Sequence, residues 1–307
     1  MKPLRNILYF ADGDMTMNPA LERAISLAYR HEARLTVMDV IGNLPSPAAV
    51  KIRFGLGIDE IIRQYQEQEL RKLLQHAAPL NHPVRIDVRT GWGFIEAIRA
   101  VINEPHELLI KPARNGADQP LSSSDMHLLR KCPCPVWIER GTEARNYRTI
   151  LAAVDPCSEE DDCADTVTDL AYNIAKADGS RLALVHAWQF YGESMLRSGR
   201  YGLSDVELEK MREQTRQQHS SQLRALLERH QLGSDEVELH LHKGEPTEVI
   251  QRVAEQLKAD LIVIGTLART GIPGLIIGNT AEDILQRSDC SVLAVKPGGF
   301  VSPVKSA

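Results

Sequence analysis

A glycine-rich segment in the last third of the chain has residue types that could hold a phosphate group. Residues 265–282 read GTLARTGIPGLIIGNTAE, after the apolar run ADLIVIG and before the helix-like run EDILQR. Between a strand and a helix, such a loop can present backbone N–H groups and the positive end of the helix dipole to an anion. The spacing matches neither a Walker loop nor a dinucleotide fingerprint. The segment therefore indicates either a nucleotide loop of another type or a structural loop that caps the next helix.

Motifs for covalent or metal-dependent catalysis are absent from the sequence. It contains no G-x-S-x-G elbow, no H-E-x-x-H pair and no Walker lysine followed by Ser or Thr. Asp155 follows an apolar run and could assist slow hydrolysis beside a bound phosphate, although orienting a ribose or capping the strand is the simpler role. We therefore predict a non-catalytic protein, with slow nucleotide hydrolysis as an alternative.

Cysteines and histidines offer two further candidate sites. Cys132 and Cys134 flank a proline at the entrance to a strand, but a second ligand pair at zinc-finger spacing is missing, so we predict buried thiols. His240 and His242 share one strand face by the two-residue period, and His186 could lie on a neighbouring strand. Zinc binding by these histidines stays open as an alternative. Because no carboxylate or cysteine stands at a recognisable spacing from them, no metal is firmly predicted.

Composition and charge make several classes of partner poor expectations. The chain of 307 residues has a net charge of -5 and no block rich in lysine and arginine, so nucleic acid is not expected as a partner. The first apolar run is short and is soon followed by Asp12 and Asp14, and no later run is long enough to span a bilayer. The five cysteines are unevenly spaced and do not suggest a disulfide framework. We expect a reduced, cytoplasmic protein without a membrane partner.

An internal repeat covers nearly the whole chain. Five segments recur in the same order: RNILYFAD (5–12) as RTILAAVD (148–155), ARLTVMDVI (33–41) as SRLALVHAW (180–188), RTGWGFIEAI (89–98) as LHKGEPTEVI (241–250), HELLIKPA (106–113) as ADLIVIGT (259–266), and HLLRKCPCPVWI (127–138) as DILQRSDCSVLAV (283–295). The repeat predicts two tandem domains, residues 1–142 and residues 147–300, joined near 141–147.

Within each copy, apolar runs of strand length alternate with longer stretches of helical period, which predicts a parallel sheet covered by helices on both faces. In the second copy the predicted strands are TILAAVD, RLALVHAW, VELHLHKG, LIVIGT and SVLAVKP. Three helix starts are predicted: Asn18 followed by Pro19, a capping box at 204–207, and a second capping box at 279–282. The fold class is therefore α/β, with two doubly wound five-stranded parallel-sheet domains.

The repeat also predicts how the two copies meet. The last strands of the copies, CPVWIE and SVLAVKP, are equivalent edges that can pair with each other and so satisfy both. This predicts an intramolecular pseudo-dimer about a pseudo-twofold axis, and further assembly into a homodimer stays open.

Several of these features together resemble the universal stress protein family. They are an Asp at the end of the first strand of the second copy (Asp155), a strand with Val185-His186, the glycine Gly244 after the third strand, and the glycine-rich loop after the fourth strand. The segment SSSDMHLLRKCPCPVW (122–137) resembles the tandem, two-domain members of the family. The resemblance implies a Rossmann-like doubly wound sheet and a stress-response role, and some members of this family bind ATP.

Carried over residue by residue, the resemblance implies an ATP site in the second copy. Its candidate residues are Asp155 and Val185 at the adenosine end, and Gly265, Arg269, Gly278, Asn279 and Thr280 in the phosphate loop. The chain departs from the family loop at Ala268, where the family has a second glycine, and at Asn279, where it has Ser or Thr. An added methyl matters only where positive φ or close phosphate approach is needed, and the Asn amide can still donate a hydrogen bond.

The first copy lacks this loop. The corresponding residues 111–125 read KPARNGADQPLSSSD, and the single Gly116 cannot reproduce an amide cradle, so we expect no family-type ATP site there. An alternative partner is an apolar small molecule held in a pocket of this copy. The candidate lining residues are Leu44, Val50, Ile52, Phe54, Leu56, Ile58, Trp92 and Phe94. A lid or an interface core explains the same residues without any ligand.

Overall fold

The structure is a computed structural model that describes residues 4–42, 53, 55–76, 84–114, 119–141, 143, 146–157, 163–197, 203–233, 235–266 and 277–306. The strands are β1 (Asn6–Phe10), β2 (Arg34–Ile41), β3 (Val84–Thr90), β4 (Leu108–Pro112), β5 (Val136–Glu139), β6 (Thr149–Ala153), β7 (Arg181–Trp188), β8 (Val237–Lys243), β9 (Leu261–Gly265) and β10 (Ser291–Val295). The helices are α1 (Pro19–His31), α2 (Ile58–His76), α3 (Gly93–Asn103), α4 (Ser123–Lys131), α5 (Cys163–Asp178), α6 (Glu193–Arg197), α7 (Asp205–Arg229), α8 (Pro246–Leu257) and α9 (Asn279–Arg287). Among these helices, none combines the length and the apolar character needed to cross a bilayer.

All these strands lie in one sheet, in the order β3-β2-β1-β4-β5-β10-β9-β6-β7-β8. Neighbouring strands are parallel within each half. The halves join where β5 and β10 pair antiparallel, with Ile138 opposite Val292 and Val136 opposite Ala294. The order is therefore palindromic about this junction, as a pseudo-twofold requires. The predicted pairing of the two edge strands is present, and it removes an exposed edge from each half.

Helices cover both faces of the sheet. One buried cluster joins the strands to α1, α2, α5 and α7, and the other joins them to α3, α4, α8 and α9. Because successive strand side chains point to opposite faces, Ala152 belongs to the first cluster and Leu151 to the second. Burial on both faces explains the continuous apolar strands, and it confirms the predicted doubly wound α/β class. Cys132 and Cys134 are buried in the second cluster, as predicted, and burial raises the pKa of the Cys134 thiol.

Two of the three predicted helix starts are confirmed. The Asn18 side chain accepts a hydrogen bond from the Leu21 amide ahead of α1, and Ser204 forms a capping box with Glu207 ahead of α7. The capping box predicted at 279–282 is wrong. Gly278 is the N-cap of α9, without a side-chain cap, and the carboxylate of Glu282 pairs with Arg130 of the first half instead. A capping-box spacing cannot form a cap when the helix begins one residue earlier than the pattern requires, because Glu282 then stands one position beyond N3.

A buried network of ion pairs and hydrogen bonds links the first half of the chain to the second. The Arg23 guanidinium of α1 lies 3.0 Å from Oε2 of Glu139 and 2.9 Å from Oδ2 of Asp178 at the end of α5. The Tyr147 hydroxyl donates to the same Glu139 oxygen at 2.6 Å, and its ring lies 3.8 Å from the guanidinium carbon. Ser291 of β10 donates to the other Glu139 oxygen at 2.6 Å. The junction therefore combines backbone pairing with a charged group whose partners come from both halves.

Candidate functional site

In the second half, several of the candidate residues lie at the carboxyl ends of β6 and β9. These two strands are neighbours, and the chain crosses to opposite sides of the sheet on leaving them, so a crevice opens between their ends. Asp155 follows β6, Gly265 ends β9, and Gly278 precedes α9. The structure therefore places Asp155, Gly265 and the start of α9 at the edge of the sheet where open α/β folds bind ligands.

Asp155 and Val185 have different surroundings. The Asp155 carboxylate is about one-third exposed, and its Oδ1 accepts a hydrogen bond from the Cys157 amide at 3.4 Å. Val185 lies in β7, and its side chain is 1% exposed within the cluster that includes α8 and α9. Its carbonyl oxygen accepts a hydrogen bond from the Val154 amide at 3.0 Å. Only Asp155 of this pair presents a side chain to solvent, whereas the Val185 side chain is part of the core.

Gly265 has a packing reason to be glycine. A Cβ built at this position would lie 2.5 Å from Sγ of Cys163, far inside van der Waals contact. The next residue, Thr266, is buried, and its hydroxyl donates to the Val295 carbonyl at 3.0 Å. Its own carbonyl accepts from the Gly278 amide at 3.3 Å. The two ends of the loop are thus held together, while Ala268, Arg269 and Thr270 lie outside the described residues.

The start of α9 leaves backbone donors at the site. Gly278 has φ -62° and ψ 143°, and none of the described side chains caps the helix. Asn279 and Thr280 occupy its first two positions, and the Glu282 amide is the first to donate back, to Gly278 at 2.9 Å. The amides of a first helical turn have no partner within the helix. This helix end can therefore offer N–H groups and the positive end of its dipole to an anion.

The equivalent helix start in the first half is closed by its own side chains. Ser122 caps α4 in a capping box with Asp125, and Asp125 is completely buried. The buried ammonium of Lys111 pairs with Asp125 and also lies 3.1 Å from Oδ2 of Asp12. By the internal repeat, Lys111 corresponds to Ile264 and Asp125 to Ala281. The second half thus lacks both charged groups that fill this place in the first.

A cluster of two histidines and a cysteine lies on the opposite face from Val185. Nε2 of His186 is 2.9 Å from Nδ1 of His219 and 3.7 Å from Sγ of Cys157, and Sγ is 3.2 Å from Nδ1 of His219. Burial, together with the neighbouring His219, lowers the pKa of His186 to about 4, so its imidazole is neutral near pH 7. Burial also raises the pKa of the Cys157 thiol. The sequence did not single out His219 or Cys157, because they lie 62 residues apart on a helix and a loop.

The histidine group considered from the sequence does not form. His240 is paired in register with Val185 and His242 with Ala187, so both point to the opposite face from His186. Their two rings stack on each other with centroids 5.9 Å apart. The prediction that His186 lies on a strand next to the one that carries His240 and His242 is confirmed. Side chains alternate along a strand, however, and this alternation places His186 on the other face of the sheet.

The predicted apolar pocket of the first half is only partly described. Leu44, Val50, Ile52 and Phe54 lie outside the described residues. Trp92 is 71% exposed, and the Phe94 ring stacks on His127 with centroids 4.5 Å apart. A different cavity, of about 710 Å³, opens between the start of α1 and α2 and is lined by Met15, Met17, Ile62, Tyr65, Gln66, Glu69, Lys72 and Leu73.

Comparisons with known proteins agree with this fold. The family model described as the universal stress protein family matches residues 3–140 and again 146–296. Universal stress protein E of Escherichia coli strain K12 is 28% identical over 322 residues, covering 99% of this chain and 98% of that protein. Its homolog from Haemophilus influenzae is 30% identical over 316 residues, with 95% and 97% covered. A crystal structure of a functionally unknown protein from Pseudomonas aeruginosa PAO1 aligns with a TM-score of 0.67 at 24% identity, covering 97% and 94% of the two chains.

Proposed function

Because the chain belongs to the universal stress protein family, we propose that it is a non-catalytic, ligand-responsive stress protein that binds adenine nucleotide in its second half. Residues 1–142 and 147–300 are the two domains of this proposal, and only the second is a nucleotide domain. The protein acts in the cytoplasm, where adenine nucleotides are abundant.

The contrast between the two equivalent helix starts carries the proposal. In the first half, Ser122 Oγ accepts a hydrogen bond from the Asp125 amide at the start of α4, the Asp125 carboxylate accepts one from the Ser122 amide, and the buried Lys111 ammonium pairs with that carboxylate. In the second half, Ala281 and Ile264 stand at these places, and α9 begins without a side-chain cap. An anion at a helix N-terminus gains from the free amides and from the dipole. A nucleotide phosphate supplies the negative charge that the first half supplies from its own chain.

We assign each candidate residue a role in this site, from its position where the structure describes it and from its chemistry for Arg269. The half-buried Asp155 carboxylate at the end of β6 accepts hydrogen bonds from ribose hydroxyl groups. The amides of Asn279 and Thr280 face the phosphates, and Gly278 keeps the approach free of a side chain. Arg269 adds a positive charge from the loop. Gly265 and Val185 support the site through packing, since one adjoins Cys163 and the other is a core side chain.

The most direct test introduces the Lys111–Asp125 ion pair of the first half at the equivalent positions of the second half. The double variant Ile264→Lys with Ala281→Asp copies Lys111 and Asp125 onto the equivalent positions and leaves the net charge unchanged. We expect isothermal titration to detect ATP binding to the wild type and at least about a tenfold weaker binding to this variant, because the added ion pair takes the space beside the first turn of α9 and its carboxylate already interacts with the helix dipole that would favour the phosphate. Circular dichroism and urea unfolding establish that the variant folds. Unchanged ATP affinity in the folded variant would reject this site.

A phosphate-release assay separates binding from the weak-ATPase alternative. Wild-type protein that binds ATP and releases no phosphate above the protein-free rate supports the non-catalytic proposal. Release that is lost in Asp155→Ala while ATP binding persists would instead favour the ATPase.

The cavity between α1 and α2 favours a second candidate function, the binding of an apolar metabolite. Its walls include Met15, Met17, Ile62 and Leu73, and methionine-lined cavities adapt to ligands of different shape. Native mass spectrometry of freshly purified protein tests this directly. A retained apolar mass that ATP does not displace, and that Ile62→Glu abolishes, would establish the second function independently of the first.

A further inference from the structure

Three potential metal-ligand atoms converge beside the carboxyl end of β6. They are Sγ of Cys157, which follows β6, Nε2 of His186 in β7, and Nδ1 of His219 in α7, and all lie within 4.8 Å of one another. His186 is 2% exposed, whereas Cys157 and His219 are half-buried. One sulfur and two imidazole nitrogens form a donor set that suits zinc and related transition metals.

The separations of these atoms match a tetrahedral metal centre. With Zn–S of about 2.3 Å and Zn–N of about 2.0 to 2.1 Å, tetrahedral angles place the ligand S and N atoms about 3.5 Å apart and the two N atoms about 3.3 Å apart. The observed S–N separations are 3.7 and 3.2 Å, and the N–N separation is 2.9 Å. Movements of a few tenths of an ångström, within the freedom of side-chain rotation, bring all three atoms onto one ion.

The surroundings also orient the ligands. Nδ1 of His186 lies 3.0 Å from the Val154 carbonyl oxygen, and donating there leaves the lone pair on Nε2 directed at the cluster. A backbone carbonyl in this position is the usual outer partner of a metal-binding histidine. The Cys157 amide is held by Asp155 at 3.4 Å, which fixes the turn that carries the thiol.

We propose that Cys157, His186 and His219 bind one Zn²⁺ ion, with a water molecule in the fourth position. On binding, the thiol loses its proton to solvent and its hydrogen bond to Oε1 of Gln222, now 2.8 Å long, and the sulfur bonds to the metal instead. The site is specific to the second half, because the repeat places Asp39 in the first half where the second has His186. It lies on the face of the sheet that α5 and α7 cover, whereas the proposed nucleotide site adjoins α9.

Cobalt titration of the full-length protein tests the site, since Co²⁺ replaces Zn²⁺ and reports its ligands by absorption. Protein treated with a chelator and then freed of it should bind one Co²⁺ per chain with a thiolate-to-cobalt charge-transfer band, and Zn²⁺ should displace it. Cys157→Ser should remove the band, and His219→Gln should weaken Zn²⁺ binding by about 100-fold or more. Cys290→Ser and His242→Gln are the matched controls, because they remove a cysteine and a histidine outside the cluster, and both should bind as the wild type does.

Three results would overturn the proposal. They are the absence of metal binding in the wild type, a charge-transfer band that survives Cys157→Ser, and equal losses in the control variants. His186→Gln removes a buried side chain and could fail to fold, so the half-buried His219 provides the decisive histidine variant. The double variant Ile264→Lys with Ala281→Asp should still bind Zn²⁺, which separates this proposal from the nucleotide site.

Discussion

Lys111 and Asp125 form an ion pair in which both side chains are completely buried. The same ammonium lies 3.1 Å from Oδ2 of Asp12. Asp12 ends the segment that corresponds to the one ending in Asp155, so the pair closes the first half at the place where the second half is proposed to bind a ligand. One copy of the repeat thus holds a buried ion pair at this place, and the other has the uncharged residues Ile264 and Ala281 there.

Removing the buried ammonium should strongly destabilise the protein. Lys111→Met leaves the Asp125 carboxylate buried without its cation, which we expect to cost about 3 to 5 kcal/mol of unfolding free energy. Urea unfolding measures the change. Lys72→Met is the control, because Lys72 pairs with Glu69 at the surface and its loss should leave the unfolding midpoint nearly unchanged. Equal effects of the two variants would show that the buried pair contributes nothing special.

Gly265 should tolerate replacement by alanine when the neighbouring Cys163 side chain is made smaller. Gly265→Ala places a methyl group 2.5 Å from Sγ of Cys163, and we expect a loss of about 1 to 3 kcal/mol. Cys163→Ala alone leaves a small cavity and should cost roughly 1 kcal/mol. Combined, the two changes should cost less than their sum, since the remaining neighbour is the Cys163 Cβ at 3.7 Å. Thermal unfolding of the wild type, the two single variants and the double variant measures these losses. Additive losses would contradict the packing role of this glycine.

The network at the junction of the halves should also tolerate little change. Arg23→Met removes the cation shared by Glu139 and Asp178, whose side chains are both buried, and we expect a loss of about 3 to 5 kcal/mol. Arg34→Met is matched in chemistry, but Arg34 is mostly exposed and its ion pair with Glu104 is long at 3.8 Å. Calorimetry should therefore show a lower unfolding temperature for the first variant only. An unchanged temperature for Arg23→Met would show that strand pairing alone holds the halves together.

Restoring the family pattern of the loop should strengthen nucleotide binding. Ala268→Gly with Asn279→Ser brings back the two residues at which this chain departs from the family, and glycine allows closer approach of a phosphate. We expect tighter ATP binding by isothermal titration than in the wild type. The control is Ser124→Asn, a change at the closed start of α4, which should leave the affinity unaltered. No gain from the double change would mean that these departures do not limit binding.

The fold was predictable from the sequence because the evidence for it is local and repeated. Alternating apolar runs predicted the strands, the five matching segments predicted the two halves, and the equivalence of CPVWIE and SVLAVKP predicted that these strands pair, which they do in antiparallel orientation. Each signal depends on residues near one another in sequence or on a direct comparison of the two copies. These signals could therefore be recognised without knowledge of any tertiary contact.

The site was less predictable because it depends on contacts that spacing does not encode. Lys111 was not recognised as the partner of Asp125, since nothing in the sequence shows that both are buried. The N-cap of α9 was placed one residue late, at Asn279 instead of Gly278, because Glu282 suits a capping box and yet pairs with Arg130 across the junction. His186 was grouped with His240 and His242, although the strand register turns it to the other face, towards His219.

The number of ATP molecules bound per chain tests the central claim most directly. Equilibrium dialysis of the full-length wild-type protein against ATP counts the bound ATP directly and does not depend on a binding enthalpy. In the first half, Lys111 and Asp125 occupy the place beside the start of α4, whereas the start of α9 at Gly278 has no side-chain cap. This contrast predicts one ATP per chain. Two ATP per chain would show that the first half is not closed, and none would show that the open helix start does not bind nucleotide.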